Sequence, residues 1–263
     1  MEEQLPEKGS LGQSSVDLYA NLDEIFQKAK TRDEFEYICS LLRIRGMEDA
    51  GWDPLGESHA AIFDYIALIE APLRDITKVR LALLTYCHIT EIDAVYDILA
   101  NMLRSIKGDR CSMIPFVDYT KLTKQSANSP KQKIEALKAM EREVGFNSLG
   151  KIFDSFFDDE IRNAFYHSDY TIYANEFRCR KKFSTWKLPT SVPLADLMKK
   201  IQDCIDFYLT FMRLYDDHRK SYKEPKIIKG RFAADGGWLD LEILVQEGIG
   251  VTGFQSPPGS KGS

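Results

Sequence analysis

A chain of 263 residues with 35 Lys and Arg against 40 Asp and Glu has a formal net charge of -5. That balance excludes a broad, unspecific nucleic-acid coat but leaves room for a local basic pocket. With 44% hydrophobic and 29% charged residues, 15 Phe and 12 Tyr, the chain has core material for one large domain or a domain with attachments.

Residues 1 to about 14 are rich in Glu, Gly and Ser and read as loose. Ser15 is placed to cap a helix from Val16 to about Lys30, with Leu18, Leu22, Ile25 and Phe26 on one face. Thr31 and Glu34 form the pattern of a capping box for a second helix to about Arg45. Gly51, Pro54 and Gly56 mark Gly46 to Glu57 as a loop, and Ser58 opens another helix that ends near Pro72. From Leu73 to Ile106 the apolar positions cover more than one face, which predicts a buried central helix stopped by Lys107-Gly108. Asp109 to Asn128 is irregular. Ser129-Pro130 supplies a cap and a first-turn proline for a polar helix to Val144. Phe146 to about Phe165 reads as one further helix. Short β-like runs around Ala174-Asn175 suggest a hairpin within Thr171 to Lys187, and Pro193 to about Tyr222 is a long amphipathic helix. Ile227 to Phe232 and Trp238 to Val245 flank Asp235-Gly236-Gly237, a strong hairpin signal, before a Pro/Gly/Ser tail.

The fold expected is therefore all-α, an antiparallel helical bundle with a small C-terminal β-hairpin. Its parts are an N-terminal helical extension (1–57), a main helical domain (58–222), the hairpin (223–254) and a disordered tail (255–263). The cysteines Cys39, Cys87, Cys111, Cys179 and Cys204 form no C-x-x-C pair, which argues against a zinc site and suits a reducing compartment. Met1-Glu2-Glu3 is acidic with no apolar run behind it, so no signal peptide is expected. No uncharged run reaches the roughly 20 residues of a membrane span. A cytoplasmic protein without membrane contact, metal or cofactor is the expectation.

The chemistry concentrates in Arg162-Asn163-Ala164-Phe165-Tyr166-His167. An arginine fork grips phosphate, and an imidazole exchanges a proton near neutral pH. This segment resembles the signature of HEPN (higher eukaryote and prokaryote nucleotide-binding) domains: an Arg, usually followed by a small polar residue, then a His after four to six positions. Arg162, Asn163 and His167 match it in turn, and the resemblance covers roughly Pro72 to Tyr222. It implies a four- or five-helix bundle, usually dimeric. Many such proteins are metal-independent ribonucleases of toxin–antitoxin, defence or RNA-processing systems, in which motifs from two subunits face one cleft. Others are non-catalytic nucleotide- or protein-binding modules. The resemblance thus implies RNA as substrate, a homodimer, an antitoxin protein as a possible partner, and cleavage to a 2′,3′-cyclic phosphate and a 5′-OH. His167 would move protons, Arg162 would stabilise charge on phosphorus, and Asn163 would hold Arg162 or a phosphate oxygen. Positions i and i+5 of a regular helix are rotated about 140° apart, so Arg162 and His167 converge only if the helix frays or a second subunit supplies the partner.

Further candidates surround the motif. Some HEPN ribonucleases place an upstream carboxylate beside the Arg/His pair, and Glu91 is the candidate here, one turn from His88. Tyr170 follows His167 by three positions, whereas the modifiable toxin tyrosine follows after one. Arg178, Arg180, Lys181 and Lys182, with Phe183 and Trp186, form a basic–aromatic cluster able to grip RNA or to protect an edge strand. Asp158, Asp159 and Glu160 read as a solvated face or as partners of Arg162.

Overall fold

The computed structural model describes residues 13–43, 53–117, 127–179, 190–231 and 236–257. It is mostly helical, with two small three-stranded antiparallel sheets. Expectations for the loose N-terminus, for 44–52 of the first loop, for 118–126 and for 258–263 of the tail lie outside the described residues.

Helix α1 (Gln13–Arg32) runs further than expected, and α2 (Glu34–Leu41) follows directly. The Thr31 capping box does not form. Thr31 is still inside α1, where its hydroxyl donates to the Gln27 carbonyl at 2.8 Å, and Asp33 caps α2 by accepting from the Glu36 amide at 3.1 Å. Helix α3 (Pro54–Glu70) begins before Ser58, because Asp53 accepts from the Gly56 amide and Pro54 occupies the first turn.

The single central helix expected from Leu73 to Ile106 is two: α4 (Asp75–Thr90) and α5 (Asp93–Lys107). No glycine or proline marks the break. The Thr90 hydroxyl donates back to the Cys87 carbonyl at 3.0 Å, and the buried Tyr96 hydroxyl takes the Thr90 carbonyl at 2.8 Å. That carbonyl is then satisfied without continuing the helix. Gly108 stops α5 in the left-handed conformation, φ 93°, as expected. Helix α6 (Pro130–Glu143) has the full capping box of Ser129 and Gln132.

The helix expected from Phe146 to Phe165 is also broken, into α7 (Ser148–Phe156) and α8 (Asp159–Tyr166). Tyr86 of α4 explains the break. Its hydroxyl donates to the Phe156 carbonyl at 3.2 Å and accepts from the Asp158 amide at 2.8 Å, while the Asp158 side chain caps α8. Helix α9 (Leu194–Lys220) supplies the long apolar stripe.

The helices share one core. Helix α1 packs against α2, α5, α7 and α9, and α9 also packs on α4. Residues 13–43 therefore bury Leu22, Ile25, Phe26 and Ile38 in the same cluster as Leu99, Phe153 and Phe211. Phe153, Phe156 and Phe207 meet with ring centroids 5.2–5.7 Å apart, and each buried ring stabilises by about 2 kcal/mol.

The expected hairpins are each one strand short. Strands β1 (Tyr170–Tyr173) and β2 (Glu176–Cys179) join through Ala174-Asn175, both with positive φ, and β3 (Thr190–Pro193) adds to β2. Strands β4 (Ile227–Gly230) and β5 (Leu239–Gln246) pair as expected, but β6 (Gly250–Gln255), from the end of the segment assigned to the hairpin, adds to β5 as a third strand. Residues 232–235 of the turn, Asp235 included, lie outside the described residues. The second sheet rests on α2 through β4 and on α9 through β6. A Cβ on Gly250 would come within 2.0 Å of the Arg219 carbonyl oxygen, so glycine is what permits that approach.

Candidate functional site

The motif lies on α8 and the turn after it. Asp158 caps α8, and Asp159 and Glu160 fill its first turn, where negative charge suits the helix N-terminus. Arg162 is one turn on. Its side chain turns inward, and the residue is only 9% exposed. One terminal guanidinium nitrogen donates to Glu91. The other donates to Asp159 Oδ1 at 2.9 Å and Asn163 Oδ1 at 3.0 Å. The Nε is buried and has no hydrogen-bond partner. Burial by itself would lower the Arg162 pKa, but the Glu91 and Asp159 carboxylates outweigh it and raise it. Glu91 is the C-cap residue of α4, in the turn between α4 and α5. Cys87 lies within the electrostatic reach of the guanidinium, and burial pushes its thiol up to about 12 despite that cation.

His167 is the C-cap residue of α8 and is exposed. Its amide donates to the Asn163 carbonyl at 2.9 Å. Ser168 then turns left-handed at φ 54°, its amide reaching the Phe165 carbonyl at 3.1 Å, and the Asp169 amide reaches Ala164 at 2.9 Å. This double closure is a Schellman turn with serine where glycine is usual. The helix thus ends at His167, close to the expected end near Phe165. Among the described residues the His167 ring makes no side-chain hydrogen bond. Arg162 faces inward and His167 stands outside, so one chain does not bring the two together.

The other candidates fall into place around this pair. Tyr170 is a packing residue, stacked between Phe165 at 5.5 Å and Phe177 at 5.2 Å, and it ties α8 to the first sheet. His88 lies beside Tyr65 of α3, ring centroids 5.7 Å apart, and burial lowers its pKa. Arg178 pairs with Glu176 at 2.9 Å and lies over the exposed Tyr173 ring at 5.1 Å. Arg180, Lys181, Lys182, Phe183 and Trp186 lie outside the described residues. Among the described residues no three His, Cys, Asp or Glu side chains gather in a way that could hold a metal ion, and no helix is long and apolar enough to cross a membrane.

Sequence reasoning did not pick out Tyr166 and Tyr65. Tyr166 is 49% exposed beside His167, and burial of its inner edge, with the nearby Glu91 carboxylate, pushes its hydroxyl up to about 12. Its position inside the motif was the available signal. Tyr65 gave none, since it comes from α3. No protein-family model, curated protein or solved structure matches this chain.

Proposed function

We propose that the chain is a HEPN-type endoribonuclease that works as a homodimer without a metal and leaves a 2′,3′-cyclic phosphate and a 5′-OH. On this reading the helices from α4 to α9 are the HEPN-like bundle. The observation that carries it is the setting of His167: an exposed imidazole at a helix end closed by backbone hydrogen bonds, five residues from Arg162 in the HEPN pattern. His167 of one protomer takes the 2′-OH proton as O2′ attacks phosphorus, and the second protomer's copy of the same residue protonates the departing 5′-oxygen. Two copies are required on this mechanism because it uses two imidazoles and the motif of each protomer carries one, His167. An antitoxin protein would be the partner if the chain serves as a toxin.

A second reading, a non-catalytic HEPN-like nucleotide-, RNA- or protein-binding module, is favoured by one observation. The Arg162 charge is already engaged by two carboxylates. The deciding experiment is cleavage of single-stranded RNA by purified protein in EDTA, beside His167→Ala. The ribonuclease reading expects cleavage with cyclic phosphate ends, reduced at least about 100-fold in the variant. Equal activity in His167→Ala sinks it, and RNA binding without cleavage by the unaltered chain supports the module.

A further inference from the structure

We propose that Arg162 is a positioning residue rather than a phosphate ligand: with Glu91 and Asp159 it clamps the α4–α5 turn onto α8 and so fixes the helix end that carries His167. Its catalytic consequence rests on the ribonuclease reading above.

Three observations converge on this. Both terminal nitrogens of Arg162 are taken, by Glu91 on one side and by Asp159 and Asn163 on the other. The side chain is buried while the carboxylates are the more exposed partners, with side-chain exposures of 39% for Glu91 and 26% for Asp159 against 11% for Arg162. A phosphate approaching from solvent therefore meets the carboxylates first, and one cation between two carboxylates leaves a net negative charge. Reaching phosphate would require breaking charge-assisted bonds that are stronger than neutral ones.

Helix α8 also needs such a tie. It has only eight residues, too short to be stable alone. It is pinned at its start by the Asp158 cap and the Tyr86 hydroxyl, and at its end by the Schellman turn and the Phe165–Tyr170 stack. Arg162 pins the middle to Glu91, 71 residues away in sequence. A planar fork can hold three acceptors in fixed directions, which an ammonium on a flexible stem cannot. The direction of α8 sets where His167 stands.

The test uses the full chain carrying Glu91→Gln, Arg162→Lys, Arg162→Gln and the Glu91→Gln/Arg162→Gln pair. Cleavage kinetics are measured, with binding of a single-stranded oligoribonucleotide across salt concentrations in a His167→Ala background. The His167 ring is followed by NMR without RNA. A clamp predicts that Glu91→Gln and Arg162→Gln each lower kcat at least about tenfold, with KM, RNA affinity and salt dependence unchanged. The double variant should be no worse than the worse single one, Arg162→Lys should not rescue, and the His167 ring signals should shift in both single variants. A phosphate ligand predicts the opposite: Arg162→Gln would weaken RNA binding and reduce the salt slope by about one, Arg162→Lys would partly restore it, and Glu91→Gln would leave cleavage intact. That pattern overturns the proposal. If the unaltered chain cleaves no RNA, the ribonuclease reading fails, and the clamp is judged by the His167 signals, where no change in Glu91→Gln overturns it. If Arg162→Gln does not fold, Glu91→Gln decides by the same criteria.

Discussion

His167 and His218 show how differently one side chain is used in two regions of this fold. His167 stands at the exposed end of an eight-residue helix. His218 is 5% exposed in the last turn of α9, with Nδ1 at 2.5 Å from the Tyr37 hydroxyl and Nε2 at 2.8 Å from Asp23 Oδ1. A Tyr–His–Asp chain resembles a proton relay on paper. Here both ring nitrogens are committed, the Phe26 ring lies 4.9 Å away, and the three residues join α2, α9 and α1. The better-formed network is the structural one. The less connected histidine is the exposed one, and on the proposed ribonuclease reading it is the one that meets RNA.

The largest expected effects separate the two directly. His218→Ala should cost about 3 kcal/mol of stability, since it opens a cavity and leaves the Tyr37 hydroxyl unpaired. Cleavage per folded molecule should be unchanged. His167→Ala should do the reverse, losing cleavage at least about 100-fold while the unfolding free energy from urea melts stays within about 0.5 kcal/mol of the unaltered chain. If both substitutions moved the same quantity, the contrast would collapse.

A smaller effect comes from pH. Burial lowers the His218 pKa against the opposing pull of Asp23. The unfolded chain then binds a proton more readily than the native one below about pH 6.5, so His218 removes stability as pH falls through that value. Asp97 acts with the opposite sign. Burial pushes its carboxyl up to about 6, although Lys133 pulls the other way, so the native state gains protons first and stability rises as pH falls from about 7 toward 4. Asp97→Asn should therefore add roughly 1–2 kcal/mol at pH 7 and little at pH 4. It should also unmask a steeper loss of stability between pH 7 and 5 in urea melts, and Tyr37→Phe should cost about 1 kcal/mol at pH 7. A flat pH profile in Asp97→Asn would show that His218 is not held neutral by burial.

The smallest effect tests the motif region again. Ser168 adopts φ 54° in the turn that ends α8. Ser168→Gly should raise stability by about 0.5–1 kcal/mol, measured by thermal melting, because glycine takes that conformation without strain. Cleavage should persist, since the turn keeps its shape.

Much of this protein was set by its sequence over short distances. Ser129-Pro130, Gly108, the apolar stripe of α9 and the turn at Ala174-Asn175 all announce themselves, because caps, stops and tight turns are made by hydrogen bonds and backbone preferences within a few residues. The Arg162-Asn163 and His167 pattern stands in the sequence as well, and Glu91 became a candidate only through the resemblance that pattern carries. The breaks that place them were not legible there. No glycine or proline stops α4 at Thr90 or α7 at Phe156. Hydroxyls do: those of Thr90 and Tyr96 close by at the first break, and that of Tyr86 at the second, across about 70 residues of chain. Strands β3 and β6 likewise gain their ladders from partners already folded. Tertiary structure also decided where the motif side chains stand, for the sequence shows only a cation and an imidazole five positions apart. Burial among Glu91, Asp159 and Asn163 turns the cation inward, and a left-handed Ser168 leaves the imidazole outside.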